Sequence, residues 1–139
     1  MPRYFRWIYF GWLALTMATI VLQFYLAGYG VFAFNGLPPF DPHRAVGDLI
    51  GIASLIGIGL AFAARVPWRL TGINALFFVL MVIQSALAFA GVQAIAALHV
   101  VNGVLIFVVV AYLTREAYRH AKQEPTPAAA ATASAPAQM

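Results

Sequence analysis

Residues 70–114 read LTGINALFFVLMVIQSALAFAGVQAIAALHVVNGVLIFVVVAYLT, 45 positions without Asp, Glu, Lys or Arg. One crossing of a bilayer takes about 20 residues, so this run holds two helices. Gly91-Val92-Gln93 is the best place for the turn between them. A connection that short joins antiparallel neighbours, which gives a third helix over about 69–90 and a fourth over about 94–117. Upstream, no charge occurs from Trp7 to Phe40. That stretch accommodates a first helix over about 7–33 and a Gly-Pro-rich loop, Asn35-Gly36-Leu37-Pro38-Pro39. Asp41-Pro42 is an N-cap followed by proline at the first helical position, and opens a second helix over about 42–64 that Arg65 closes. The fold class that follows is all-α, a four-transmembrane-helix bundle occupying residues 1–122.

Composition agrees. Of 139 residues 63% are apolar and 9% charged, with a mean hydropathy of +0.87, whereas a soluble domain carries about 25% charge. With no cysteine, disulfides, thiolate nucleophiles, iron–sulfur clusters and covalently attached haem are excluded. No glycine-rich phosphate loop is present. The net charge of +4 does not point to nucleic acid, because the cations flank the apolar runs. Arg3, Arg6, Arg65, Arg69, Arg115, Arg119 and Lys122 fall on one side of the expected topology and Arg44 alone on the other. Cations are retained on the cytoplasmic side, so a multi-pass protein of the plasma (inner) membrane with both termini cytoplasmic is expected, Trp7, Trp12 and Trp68 anchoring the inner interface. The first apolar run is too long for a cleaved signal peptide. Residues 123–139, rich in Ala, Pro, Thr and Ser, read as a disordered cytoplasmic tail.

The helices also look internally repeated. Val21–Val31 and Val82–Val92 share Gln, Leu, Ala, Gly and Val positions at an offset of 61, and each is followed by His-x-x-x-Gly: His43 to Gly47 and His99 to Gly103, at an offset of 56. Two tandem hairpin repeats related by an axis along the membrane normal would explain this; chance similarity among apolar helices is the competing explanation.

In either case His43 and His99 fall near the outer ends of the second and fourth helices, at similar depth, facing each other across the bundle. An ionisable residue inside a bundle marks a candidate site. Two neutral imidazoles from different helices are what a six-coordinate haem iron needs. Gly47 and Gly103, one turn below, would let a macrocycle or a neighbouring helix come close, and Arg44 could pair with propionates. Hydration or a hydrogen bond to a neighbouring carbonyl would account for the histidines without any cofactor, and close helix packing would account for the glycines. His120 reads as a solvated residue, the amides Gln23, Asn74, Gln84 and Asn102 as interhelical glue, and Asp48, about 140° round its helix from His43, as facing elsewhere.

Phe40-Asp41-Pro42-His43-Arg44-Ala45-Val46-Gly47 and Leu98-His99-Val100-Val101-Asn102-Gly103 resemble a family of small, uncharacterised four-helix bacterial membrane proteins. They are also similar to one half of haem A synthase, and the likeness extends over about residues 7–117. That second resemblance implies a bis-histidine site at His43 and His99, with Arg44 matching the His-Arg word. The catalytic half of that enzyme has a glutamate where this chain has Phe40, so the resemblance implies holding haem rather than oxygenation.

The expected function is therefore a small b-type cytochrome carrying one haem b near the outer leaflet for electron transfer, with a quinol or a redox protein as partner, in the lipid bilayer and within a homo- or hetero-oligomeric complex. The alternative is a cofactor-free accessory subunit of a larger membrane complex. Absorption by the purified protein discriminates the two.

Overall fold

A computed structural model describes residues 3–32 and 41–123. Among these the chain forms four helices and no strand: α1 Tyr4–Phe32, α2 Asp41–Ala63, α3 Trp68–Ala88 and α4 Gln93–Lys122. Each is long and apolar enough to cross a membrane, the pattern of a multi-pass membrane protein. Each helix packs against its neighbours in a closed ring, α1 on α2, α2 on α3, α3 on α4 and α4 on α1. The pairs α1/α3 and α2/α4 are therefore diagonals. The loop Asn35–Pro39, Phe40 and the tail beyond Gln123 lie outside the described residues, as does residue 33, the expected end of the first helix.

Both outer helices run further at the end where α1 begins and α4 finishes, here the terminal end. The expected starts and stops rested on apolar length, but helical hydrogen bonding does not stop where hydrocarbon does. α1 begins at Tyr4 rather than residue 7, and Arg6 donates to the carbonyls of His120 (3.4 Å) and Gln123 (3.2 Å), pinning it to α4. α4 continues five residues past 117 to Lys122, with Ala117 and Ala121 buried and Arg119 on Glu116 at 3.0 Å, an i,i+3 pair that favours the helical state. α3 ends two residues early, at Ala88, and Gly91 takes the turn at φ 67°, a value that costs glycine little.

The α2–α3 connection is tighter. Val66 N–H donates to the Ala61 carbonyl and Arg65 N–H to that of Phe62, the pair of bonds that closes a helix around a left-handed residue. That residue is Arg65, at φ 50°, where glycine is usual.

The best-packed core lies toward the terminal end, where Tyr9, Leu13, Phe77, Leu113 and Ala117 are fully or almost fully buried. Polar ties cross it: Asn74 donates to the Tyr9 hydroxyl across the α1/α3 diagonal, and Trp12 Nε1 to the Ala53 carbonyl at 3.0 Å. Gly57 admits this arrangement, since a Cβ there would stand 3.2 Å from Asn74 Oδ1. Trp12, expected as an interfacial anchor, is thus a tie between α1 and α2. His120 also departs from expectation. It is half-buried and its Nε2 is enclosed, because the extended α4 carries it back onto the bundle.

Candidate functional site

The opposite end of the bundle brings the two histidines together. His43 lies in the first turn of α2 and His99 in the second turn of α4. Because α2 and α4 are a diagonal pair, the side chains meet on the bundle axis, with ring centroids 6.1 Å apart and planes inclined at 57°. Both residues are half-buried.

Each ring is fixed by a backbone carbonyl of the other diagonal. His43 Nδ1 lies 3.3 Å from the Gln23 oxygen on α1, and His99 Nδ1 lies 3.0 Å from the Gln84 oxygen on α3. A carbonyl can only accept, so Nδ1 carries the hydrogen in both rings and the lone pair of the neutral imidazole is on Nε2.

The glutamine side chains complete the arrangement. Gln23 Nε2 donates to the His43 carbonyl at 2.9 Å, and Gln84 Oε1 accepts from Asn102 Nδ2 at 2.7 Å. A Cβ on Gly47 would stand 3.1 Å from Gln23 Nε2, and one on Gly103 3.4 Å from Gln84 Nε2. The two glycines therefore seat the amides of neighbouring helices. Residues 23, 43 and 47 share two of their contacts with 84, 99 and 103, the ring-to-carbonyl bond and the amide over the glycine, but the Gln23 amide also donates to the His43 carbonyl and that of Gln84 pairs with Asn102 instead. Asn102 has no such counterpart. It also donates to the Leu80 carbonyl at 2.9 Å, whereas the position three residues after His43 is Val46, and Gln23 Oε1 is buried without a hydrogen-bond partner.

Around the rings lies a cavity of about 270 Å³, at the lower edge of small-molecule sites. Ile20, Ile50, Met81 and Ile106 are among its apolar lining, and Arg44, Asp48 and Phe89 also line it. All five residues expected from sequence (His43, Arg44, Gly47, His99 and Gly103) line it. Asp48 lines it too, although it lies about 140° round the helix from His43. The Arg44 guanidinium stands 5.9 Å from the Phe89 ring centroid, a cation–π contact.

Residues 23–94 match a family of unknown function, DUF6220, which is just over half of the chain. The chain belongs to this family. No curated protein and no solved structure matches it. The DUF6220 stretch opens at Gln23 and contains His43, Arg44, Gly47 and Gln84; it stops before His99, Asn102 and Gly103. One imidazole and both ring-orienting carbonyls thus fall within the family-defining segment, and the second imidazole follows it.

Among the described residues of this DUF6220 chain, no group of three or more His, Cys, Asp or Glu could hold a metal ion. The nitrogen donors that converge are two. The roles of Gln23 and Gln84 go beyond interhelical glue, and their recurrence at the repeat offset, each ahead of its histidine, was the signal for them.

Proposed function

We propose that this membrane protein is a small b-type cytochrome in which His43 and His99 hold one haem b. The observation that carries this is the convergence of two imidazoles across a diagonal, each oriented through Nδ1 by a carbonyl. With ring centroids 6.1 Å apart, His43 and His99 are the residues that would hold the group's metal, each through its free Nε2. A zinc site takes three or four protein ligands. A pair of nitrogens instead suits a metal whose remaining positions a macrocycle fills.

The protein's part is to orient and enclose. Nδ1–H donation to the Gln23 and Gln84 carbonyls fixes the tautomer and raises the basicity of Nε2. Ile20, Met81 and Ile106 keep the site apolar, and Arg44 offers a charge to an acidic group at the rim. Bound haem would supply a one-electron couple. The likeness of Phe40–Gly47 and Leu98–Gly103 to one half of haem A synthase supports this reading, and Phe40 in place of that enzyme's glutamate favours retention and electron transfer over oxygenation. We place the histidine end at the outer leaflet of the inner membrane, with a quinol or a redox protein as electron partner, because seven of eight cations belong to the terminal end.

A reduced-minus-oxidised visible spectrum of the purified protein tests the assignment. Sharp α and β bands at about one haem per chain are expected, and both should be lost on His43→Ala or His99→Ala. A protein that stays colourless after growth with ample haem would refute it and favour a cofactor-free accessory subunit. A reporter fused after Met139 should be active in the cytoplasm only; activity outside would reverse the orientation.

A further inference from the structure

We propose that the α1–α4 groove at the terminal end is a binding site for an anionic phospholipid, with an acyl chain along the groove and the phosphate on the cations below it. The groove is lined by Phe10 and Met17 of α1 and by Ala111, Thr114, Arg115 and Tyr118 of α4, so an apolar channel between two helices ends at an arginine. Arg115, Arg119 and Lys122 follow one another at i, i+4 and i+7 and share a helix face. Lys122 Nζ lies 4.5 Å from the Tyr118 ring centroid, which brings its charge to the mouth of the groove.

Among the described residues the charge there is not balanced. Glu116 is the one carboxylate of α4, and it serves both Arg119 at 3.0 Å and Arg115 at 3.8 Å. The side chains of Arg115 and Arg119 remain 63% and 55% exposed. Trp7 and Phe10 pack edge-on, and Trp7 meets Tyr118 at 6.3 Å between centroids. Amphipathic rings of this kind settle at headgroup depth, so the cations lie where lipid phosphates lie. Basic pockets between membrane helices select anionic headgroups. The inference does not depend on haem.

Phosphatidylglycerol with dibrominated chains, titrated into phosphatidylcholine bilayers holding the full-length protein with Trp12→Phe and Trp68→Phe as the parent for every comparison, reads contact with Trp7 by fluorescence quenching. The parent should be quenched well ahead of the bulk mole fraction, and brominated phosphatidylcholine should follow it. Each cation near an anionic lipid is worth about fivefold in affinity, so Arg115→Gln with Arg119→Gln should weaken the preference by about tenfold or more. Ala111→Phe, which fills the groove and keeps every charge, should also abolish it. Circular dichroism checks that both variants fold, and the parent's comparison of the two lipids decides even where one does not. Quenching by phosphatidylglycerol at the bulk mole fraction would overturn the proposal and leave this face to ordinary lipid or an acidic protein. Preference that survives Ala111→Phe would overturn it in favour of surface charge alone.

Discussion

Replacing Asn102 with leucine isolates the clamp behind His99. Asn102 is buried and donates to the Leu80 carbonyl at 2.9 Å and to Gln84 Oε1 at 2.7 Å. Interhelical hydrogen bonds in membrane bundles contribute about 0.6 kcal/mol each, so losing two costs about 1.2 kcal/mol. A further loss comes from the partner left behind, because the half-buried Gln84 would then lack the donor to its Oε1, at about 1–3 kcal/mol. The expected destabilisation is about 2–4 kcal/mol, a shift of thirtyfold or more in the folding equilibrium by the usual conversion of about 1.4 kcal/mol per decade. Adding Gln84→Leu removes the orphaned oxygen, so the double variant should recover to within about 1–2 kcal/mol of wild type. Reversible unfolding in mixed micelles, followed by circular dichroism, measures both. Asn102→Leu within about 0.5 kcal/mol of wild type, or a double variant no more stable than Asn102→Leu, would refute the argument.

Other expectations concern backbone and glycine positions. Arg65 holds a left-handed φ of 50°, so Arg65→Gly should raise stability by up to about 1 kcal/mol and Arg65→Val should lower it, read from thermal unfolding in detergent. Gly47→Ala should displace the Gln23 amide from the His43 carbonyl, since the new Cβ would lie at 3.1 Å, at a cost of about 1 kcal/mol. Gly103→Ala, with its Cβ at 3.4 Å, should be milder, and the same unfolding assay ranks the two. In haem-loaded protein Gly47→Ala should alter the low-spin spectrum more than Gly103→Ala does, by loosening the carbonyl on which the Gln23 amide rests.

The number and sequence of the helices were legible because hydrocarbon thickness imposes a length and charge marks the breaks. The turn at Gly91 was legible because glycine accepts positive φ. The ends of α1 and α4 were not, since Arg6 and the Arg119–Glu116 pair extend helices by contacts beyond the apolar length. The convergence of His43 and His99 followed from equal depth in an alternating topology. Which neighbours would orient them did not, because a backbone carbonyl leaves no mark in sequence; only the recurrence of glutamine at positions 23 and 84 hinted at it. His120 was misread for a related reason. Its charged neighbours suggested solvent, but the helix that carries it turns out to continue along the bundle.

The economy of the bundle bears on why the histidines are there. In lipid, association rests on close packing and on polar groups with partners, and the backbones of α2 and α4 do not pack on each other. Leucines at 43 and 99 would fill the axis with less desolvation than two imidazoles, whose Nδ1 hydrogens reach carbonyls of helices that neighbouring contacts already hold together, as Trp12 on Ala53 and Asn102 on Leu80 do. The bonds of both rings to neighbouring carbonyls are those that would account for the histidines without a cofactor, and what packing alone does not supply is the cavity beside them, which Arg44 and Asp48 also line. Departures of this kind belong where function requires them. The terminal end carries the packing of Tyr9, Phe77 and Leu113, and each histidine contributes one bond to a carbonyl, worth about 0.6 kcal/mol in a membrane bundle, so His43→Ala or His99→Ala should lower the unfolding transition without bound ligand by less than Asn102→Leu does.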